Sequence, residues 1–281
     1  MKKLLGILCT IAISIVSLFG VLGFAGCGEE TLIVYTEAGF APFEYVSNGK
    51  IVGVDVDIMN KVGKKLGKKV KFEDVSFDTI VDAVAAGKVC NVGAAGISIT
   101  EERAAKVAFS SEYYTAKLYV IYKVSEESSY VHTPAEGEAR VYWESLAGKD
   151  IAVQGGTTAD LFIGDEVDGG VLDGTNTVVT PYTSLATAVA DVKLNMDVLV
   201  IDELPAKQLI AGDNTLACAP LYYAGDTEAD DEAAEDVYAI CVTKGQDELL
   251  KAINEVLAEL KAEDHDGVDG IQYLVNNHLG L

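Results

Sequence analysis

Strand-like and helix-like segments alternate along this sequence in two separate runs, and that rhythm leaves few folds open. The first run begins with the β-rich "TLIVYT" (31–36) and "FEYVSNGKIVG" (43–53), which reads as a hairpin turning at Asn48-Gly49. "DVDIMNKVGKKLGK" (55–68) then places Val56, Met59, Val62 and Leu66 on one helical stripe. A strand (69–75), a helix (77–87) ending at a glycine and a buried-looking strand (89–97) follow. The second run holds strands at 149–154, 177–183 and 197–203, with helices at 155–164, 184–194 and 204–212. The chain closes with a strand at 237–245 and an amphipathic helix at 247–264. Helices spaced this way between strands imply α/β units with parallel or mixed sheets, in two groups.

The first residues belong to neither run. "MKKLLGILCTIAISIVSLFGVLGFAGC" has two lysines, an uncharged apolar stretch and small residues before Cys27, the pattern of a secretory signal. Its ending, Phe24-Ala25-Gly26-Cys27, resembles the lipobox of bacterial lipoproteins, in which the cysteine is acylated and becomes the new N-terminus. Residues 1–26 are therefore expected to be removed. What remains carries 19 basic against 44 acidic residues, a formal charge of −25. Such a surface repels nucleic acid and anionic lipid, although an arginine in a cleft can still hold a small anion.

Two polar segments break the rhythm. Residues 125–142 read as a long surface loop, and "AGDTEADDEAAED" (224–236), with seven acids in thirteen residues, as a solvated acidic loop. Cys90, Cys218 and Cys241 sit in apolar sequence at spacings that match no zinc pattern, so buried free thiols are expected. His132, His265 and His278 are scattered, and no cofactor is implied.

In α/β sheets ligands bind at the carboxyl ends of strands. Three such ends carry chemistry. Glu37 and Phe40 follow the first strand. "GISITEER" (96–103) brings Gly96, Ser98 and Arg103 around a helix start that Thr100 can cap. "VQGGTT" and "VIDELP" supply Thr157, Thr158 and Asp202. A cation in the first turn of a helix opposes the helix dipole, so Arg103 either pairs with a neighbouring glutamate at the surface or serves an anion. Its planar fork suits a carboxylate, which the backbone N–H groups of Ser98 and Thr158 can supplement. Asp202, the carbonyl of Gly96 and the Ser98 hydroxyl can accept from an ammonium group, and Phe40 and Phe77 can enclose an apolar stem. Each residue alone has a plainer role, Asp202 as a helix cap, Phe40 in a core and Ser98 in a turn. Together they complement an amino acid.

These stretches also resemble a known family. "FAPFEY", "NGKIVGVDVDIMNKVGKKLG", "VSFDTIVDAVAAGKV" and "GISITEERAAKVAFSSEYY" look like the first lobe of the extracellular solute-binding proteins of polar amino acid ABC transporters. "LAGKDIAVQGGTTADL" and "VLVIDELPAKQLI" look like the second lobe, and "YAICVTKGQDELLKAINEVLAELKAED" like the closing strand and helix. The resemblance implies a two-lobed, type II periplasmic-binding-protein-like α/β fold with a ligand cleft between lobes. It divides the chain into a signal (1–26), a lipid-anchored linker (27–30), a first lobe (31–119 and 237–281) and a second lobe (120–236), with crossings near 117–121 and 222–237. In residue terms it implies that Ser98, Arg103 and a threonine of Thr157-Thr158 grip the ligand carboxylate and that Asp202 takes the ammonium. Phe40 would line the pocket and Glu37 would read the ligand side chain. The implied protein is a monomer that is lipid-anchored at Cys27 on the extracytoplasmic face of the cell membrane. It would pass a free L-amino acid, polar or basic, to an ABC transporter permease. A dehydratase on the same fold, with Glu37 or Glu203 as general acid, and an amino-acid sensor are the rival readings.

Overall fold

The computed structural model describes residues 30–281, so the expected signal (1–26) and the expected acylation site Cys27 lie outside the described residues. Two sheets carry the molecule. The first has five strands in the order Lys69–Asp74, Thr31–Thr36, Val92–Gly93, Cys241–Val242 and Ala108–Phe109. The first three run parallel, and the strand from the chain's far end enters antiparallel to both of its neighbours. The second sheet has a seven-strand path: Val178–Tyr182, Asp150–Gln154, Val198–Asp202, Tyr114–Lys123, Leu216–Tyr223, Arg140–Tyr142 and Val131–His132. Glu232–Ala233 and Glu235–Tyr238 pair alongside it. Among the described residues no helix is long and apolar enough to cross a membrane.

Most expected elements form for the expected reasons, but the strand expected at 89–97 shortens to Val92–Gly93 and the one at 237–245 divides into Glu235–Tyr238 and Cys241–Val242. Val56, Met59 and Val62 are buried along the helix Val54–Leu66, with Ile58 added to the stripe and Leu66 half-buried at its edge. Each such side chain contributes on the order of 2 kcal/mol relative to exposure. Asn48 and Gly49 both take positive φ, the turn that the twist of a two-residue hairpin requires. Gly87 caps the helix Phe77–Ala86 in the left-handed conformation. Cys90, Cys218 and Cys241 are free thiols, the first and last of them buried.

Three elements go beyond the sequence reading. Tyr114–Lys123 is a ten-residue central strand whose apolar run shows no alternation because both of its faces are covered. Tyr119 and Ile121 join the cluster that also holds Val34 and Phe43, while Leu118, Val120 and Tyr122 pack with Trp143, Ile151 and Val200. Leu216–Tyr223 pairs beside it. A last helix, Gly270–Leu279, starts at Asp269, whose carboxylate accepts from Gln272 N, and its polar Gln272, Asn276 and Asn277 dilute the apolar stripe.

Both polar segments are more ordered than expected. Residues 125–142 contribute a 3-10 turn and two strands, and Tyr130 and Arg140 are buried. Residues 224–230 are exposed, but Asp231 is not. Its carboxylate takes Arg140 Nη1 at 2.8 Å and the Tyr142 hydroxyl at 2.5 Å, with the guanidinium 4.5 Å above the Tyr222 ring. The two segments are thus clamped together by a buried ion pair. The acidic stretch then ends in the strand Glu235–Tyr238, which pairs with Tyr114–Lys117.

Candidate functional site

The three strand ends meet around one small cavity lined by Glu37, Phe40, Glu44, Phe77, Gly96, Ser98, Gln154, Thr157, Thr158 and Asp202. Eight of the nine expected ligand-binding residues are on its wall, and Arg103 lies against it through Ser98 and Phe77. A larger concavity of about 410 Å³ opens at the other end of the first strand, beside Glu30, Lys68, Asn91 and Gln246, and holds none of them.

Arg103 is buried. Thr100 caps its helix by accepting from Arg103 N at 3.2 Å, which orients the first turn. The guanidinium Nη1 donates to Ser98 O at 2.6 Å and Nη2 to Gly156 O at 2.8 Å, and Cζ lies 5.6 Å from the Phe77 ring centre. Glu102 pairs with Lys106 instead, so a surface Arg–Glu pair does not account for the arginine. Burial pulls the Arg103 guanidinium below its ordinary range, and the Asp236 carboxylate nearby opposes that shift. Gly156, at φ 76°, lies so close to Asp78 that a Cβ there would sit 3.1 Å from the Asp78 Cβ. A side chain in this turn would be strained by its φ and crowded by Asp78.

Ser98 is held by the strand Glu235–Tyr238: it bridges Tyr238, Ile99 N donates to Val237 O, and Ala239 N donates to Ile97 O. The same strand delivers Asp236. One Asp236 oxygen accepts from Ser98 Oγ at 2.7 Å and from Thr158 Oγ1 in a short hydrogen bond, and the two hydroxyls lie 3.2 Å apart. The Thr157 hydroxyl is spent locally, donating to Gln154 O and accepting from Asp160 N as the helix cap.

The rest of the wall is acidic, with the Tyr238 hydroxyl beside Asp202 and the Gln154 amide beside Glu37, yet several of its carboxylate oxygens lack donors. Asp202 is at the N-cap position of the helix Glu203–Leu209, yet its side chain makes no capping bond and its buried Oδ1 has no partner. The plainer role of Asp202 as a cap is therefore excluded. Glu44, fully buried, leaves both oxygens unpartnered, as Glu37 leaves Oε2 and Gln154 leaves Nε2. Burial, then the neighbouring Asp55, Glu37 and Asp202 carboxylates, hold the Glu44 carboxyl well above the usual range. Burial and the Asp236 carboxylate do the same to Asp202, and burial raises Glu37.

A further buried acid organises the loop. Asp55 accepts from Gly96 N at 3.0 Å and from the Tyr113 hydroxyl at 2.5 Å, and burial pushes its carboxyl up to about 6. Gly96 takes φ 53°, and a Cβ there would meet Phe40 Cε1 at 3.0 Å. Phe40 packs on Phe43 and Tyr238, with ring centres 6.1 and 6.2 Å away.

Sequence reasoning did not single out Glu44, Gln154, Asp55 or Asp236. A signal was present for Asp236: it lies two residues before Tyr238, so an earlier start for that strand puts both on one face. Glu203, one of the two acids suggested for a dehydratase, pairs with Lys207 and is not on the cavity wall.

Residues 32–266 match the family model described as bacterial extracellular solute-binding proteins, family 3. The arginine-binding extracellular protein ArtP of Bacillus subtilis is 32% identical over 130 residues, which is 46% of each chain. Among solved structures, the amino acid ABC transporter substrate-binding protein AbpA of Streptococcus pneumoniae bound to L-arginine is 27% identical. It superposes with a TM-score of 0.73 over 89% of this chain and 94% of its own. An ancestral arginine-binding protein bound to arginine, 29% identical, gives 0.71 over 90% and 99%. Matched across most of its length in sequence and fold, the chain belongs to the bacterial extracellular solute-binding proteins, family 3.

Proposed function

We infer that this protein is the extracytoplasmic receptor of an amino acid ABC transporter, that its ligand is a basic amino acid, arginine first, and that it passes this ligand to the permease. The observation that carries the reading is the polarity of the cavity. Arg103 lies against it through Ser98, and one buried oxygen each of Asp202 and Glu37 and both of Glu44 lack donors on its wall. An ammonium group on Asp202 and a cationic side chain toward Glu37 and Glu44 supply those donors. The ligand carboxylate then falls to Arg103 and to the backbone N–H groups of Ser98 and Thr158, while Phe40 and Phe77 cover the stem and Gly96 offers its carbonyl. The arginine-bound relatives support this choice of side chain.

On this reading the lobes are 31–119 with 237–281, and 120–236, and closure brings Arg103 and Asp202 onto opposite charges. The protein acts as a monomer tethered by acylated Cys27, as a carrier and not as an enzyme. Titration calorimetry with the twenty amino acids tests it. Arginine should bind tightest, with a Kd of about 1 μM or below. Failure of every amino acid to bind below about 1 mM overturns the assignment. Prephenate and arogenate should not be turned over.

A further inference from the structure

We propose that Asp236 is an internal competitor for the ligand's α-carboxylate and so sets how strongly the receptor prefers a free amino acid over its amide. The inference rests on the assignment of Arg103, Ser98 and Thr158 to the carboxylate end.

A hydroxyl has one proton to donate. Ser98, on the loop pinned to the strand Glu235–Tyr238, and Thr158, at the start of the helix Thr158–Val167, both direct theirs to a single Asp236 oxygen. One donor comes from each side of the cleft, so the Asp236 carboxylate stands between them as a bound anion would. Its other oxygen, Oδ1, is buried without a partner. Burial favours the neutral form of Asp236, whereas the two hydroxyl bonds and the Arg103 guanidinium, which itself donates to Ser98 O and Gly156 O, favour its carboxylate. A free α-carboxylate arriving at Arg103 therefore meets a like charge and finds both hydroxyls committed. It must displace Asp236 or bind against it. A ligand with a neutral carboxamide meets no such repulsion, and its amide N–H can donate to the open Oδ1. The strand ladder of 235–238 with 114–117, together with the Ser98–Tyr238 bridge, holds the main chain at Asp236 in place. Displacement consequently falls to the side chain.

The test is a ligand-by-variant cycle: L-arginine and L-argininamide titrated calorimetrically into wild type and Asp236→Asn, with Arg103→Ala as the reference. Asp236→Asn should tighten arginine about ten-fold and change argininamide by less than about two-fold, so that the acid-to-amide preference rises about ten-fold. Arg103→Ala should cut that preference. Asp236→Ser, which keeps a small polar group and removes the charge, should raise the preference like the asparagine variant if the latter folds poorly. Equal shifts for the two ligands, or weaker arginine binding in both variants, overturn the competitor role while leaving Arg103 intact. If arginine binds to neither the wild type nor the variants, the carboxylate assignment falls and takes this inference with it.

Discussion

Beside the cavity Arg103 already donates to two main-chain carbonyls, a cationic end, while in the acidic end Asp202 Oδ1, Glu37 Oε2 and both Glu44 oxygens are buried on the wall and accept nothing. The two groups are built oppositely. The cationic end is satisfied by the protein itself and helps to hold it together. The acidic end stays unfavourable until a donor arrives, because an unmatched buried acceptor costs about 1–3 kcal/mol. On the proposed reading, a cationic ligand gains affinity by relieving the acidic end. Stability resides in the arginine.

Replacing one residue at each end gives the largest expected contrast. Arg103→Ala should weaken arginine binding by about 100-fold or more, since hydrogen bonds to a charged group contribute about 1.5–3 kcal/mol each. It should also lower the melting temperature, because the bonds to Ser98 O and Gly156 O are lost. Asp202→Asn should weaken binding comparably while leaving the melting temperature unchanged or higher. Calorimetry and thermal denaturation read both effects, and an equal loss of stability in the two variants would break the comparison.

The next effect is on pH. The folded-state carboxyl of Asp55 lies at about 6, above its ordinary value of 3.8, so between these values the folded chain holds the proton more firmly than the unfolded one. Stability from this group is complete below about pH 4, falls as pH rises toward 6 and is flat above, a change of about 3 kcal/mol. The raised Glu44 and Asp202 carboxyls push in the same direction. Urea unfolding without amino acid should thus show higher stability at pH 5 than at pH 7. The opposite slope would mean that the acids are not buried as described. A smaller effect sharpens the acidic end: Glu44→Gln should raise the melting temperature by about 2–4 °C, the shift for about 1 kcal/mol in a chain of this size. It should also weaken arginine about ten-fold more than glutamine.

The cationic end was legible in the sequence and the acidic end only in part, for a physical reason. Ser98, Arg103, Thr158 and Asp202 follow strands whose β-rich runs are plain, so their place at the strand ends could be read directly. Glu44 lies on a four-residue strand of the hairpin, too short for its alternation to reveal an inward face. Asp236 sits among seven acids, where composition argues for a solvated loop, and only its pairing with Tyr114–Lys117 turns it inward. The buried Arg140–Asp231 pair was hidden in the same way, since its partners are 91 residues apart. The two sheets followed from the strand–helix rhythm, but the central strand did not, because a strand covered on both faces has no period to detect.

That central strand has one more consequence. Tyr119 and Ile121 belong to one apolar cluster and Leu118, Val120 and Tyr122 to the other; Ala152, Leu199 and Ile201 share the first and Ile151, Val198 and Val200 the second, so the strand ties together the layers on the two faces of the second sheet. Opening this strand breaks the packing on both faces of that sheet, so the buried amide protons of Leu118–Tyr122 should be among the slowest of the second sheet to exchange.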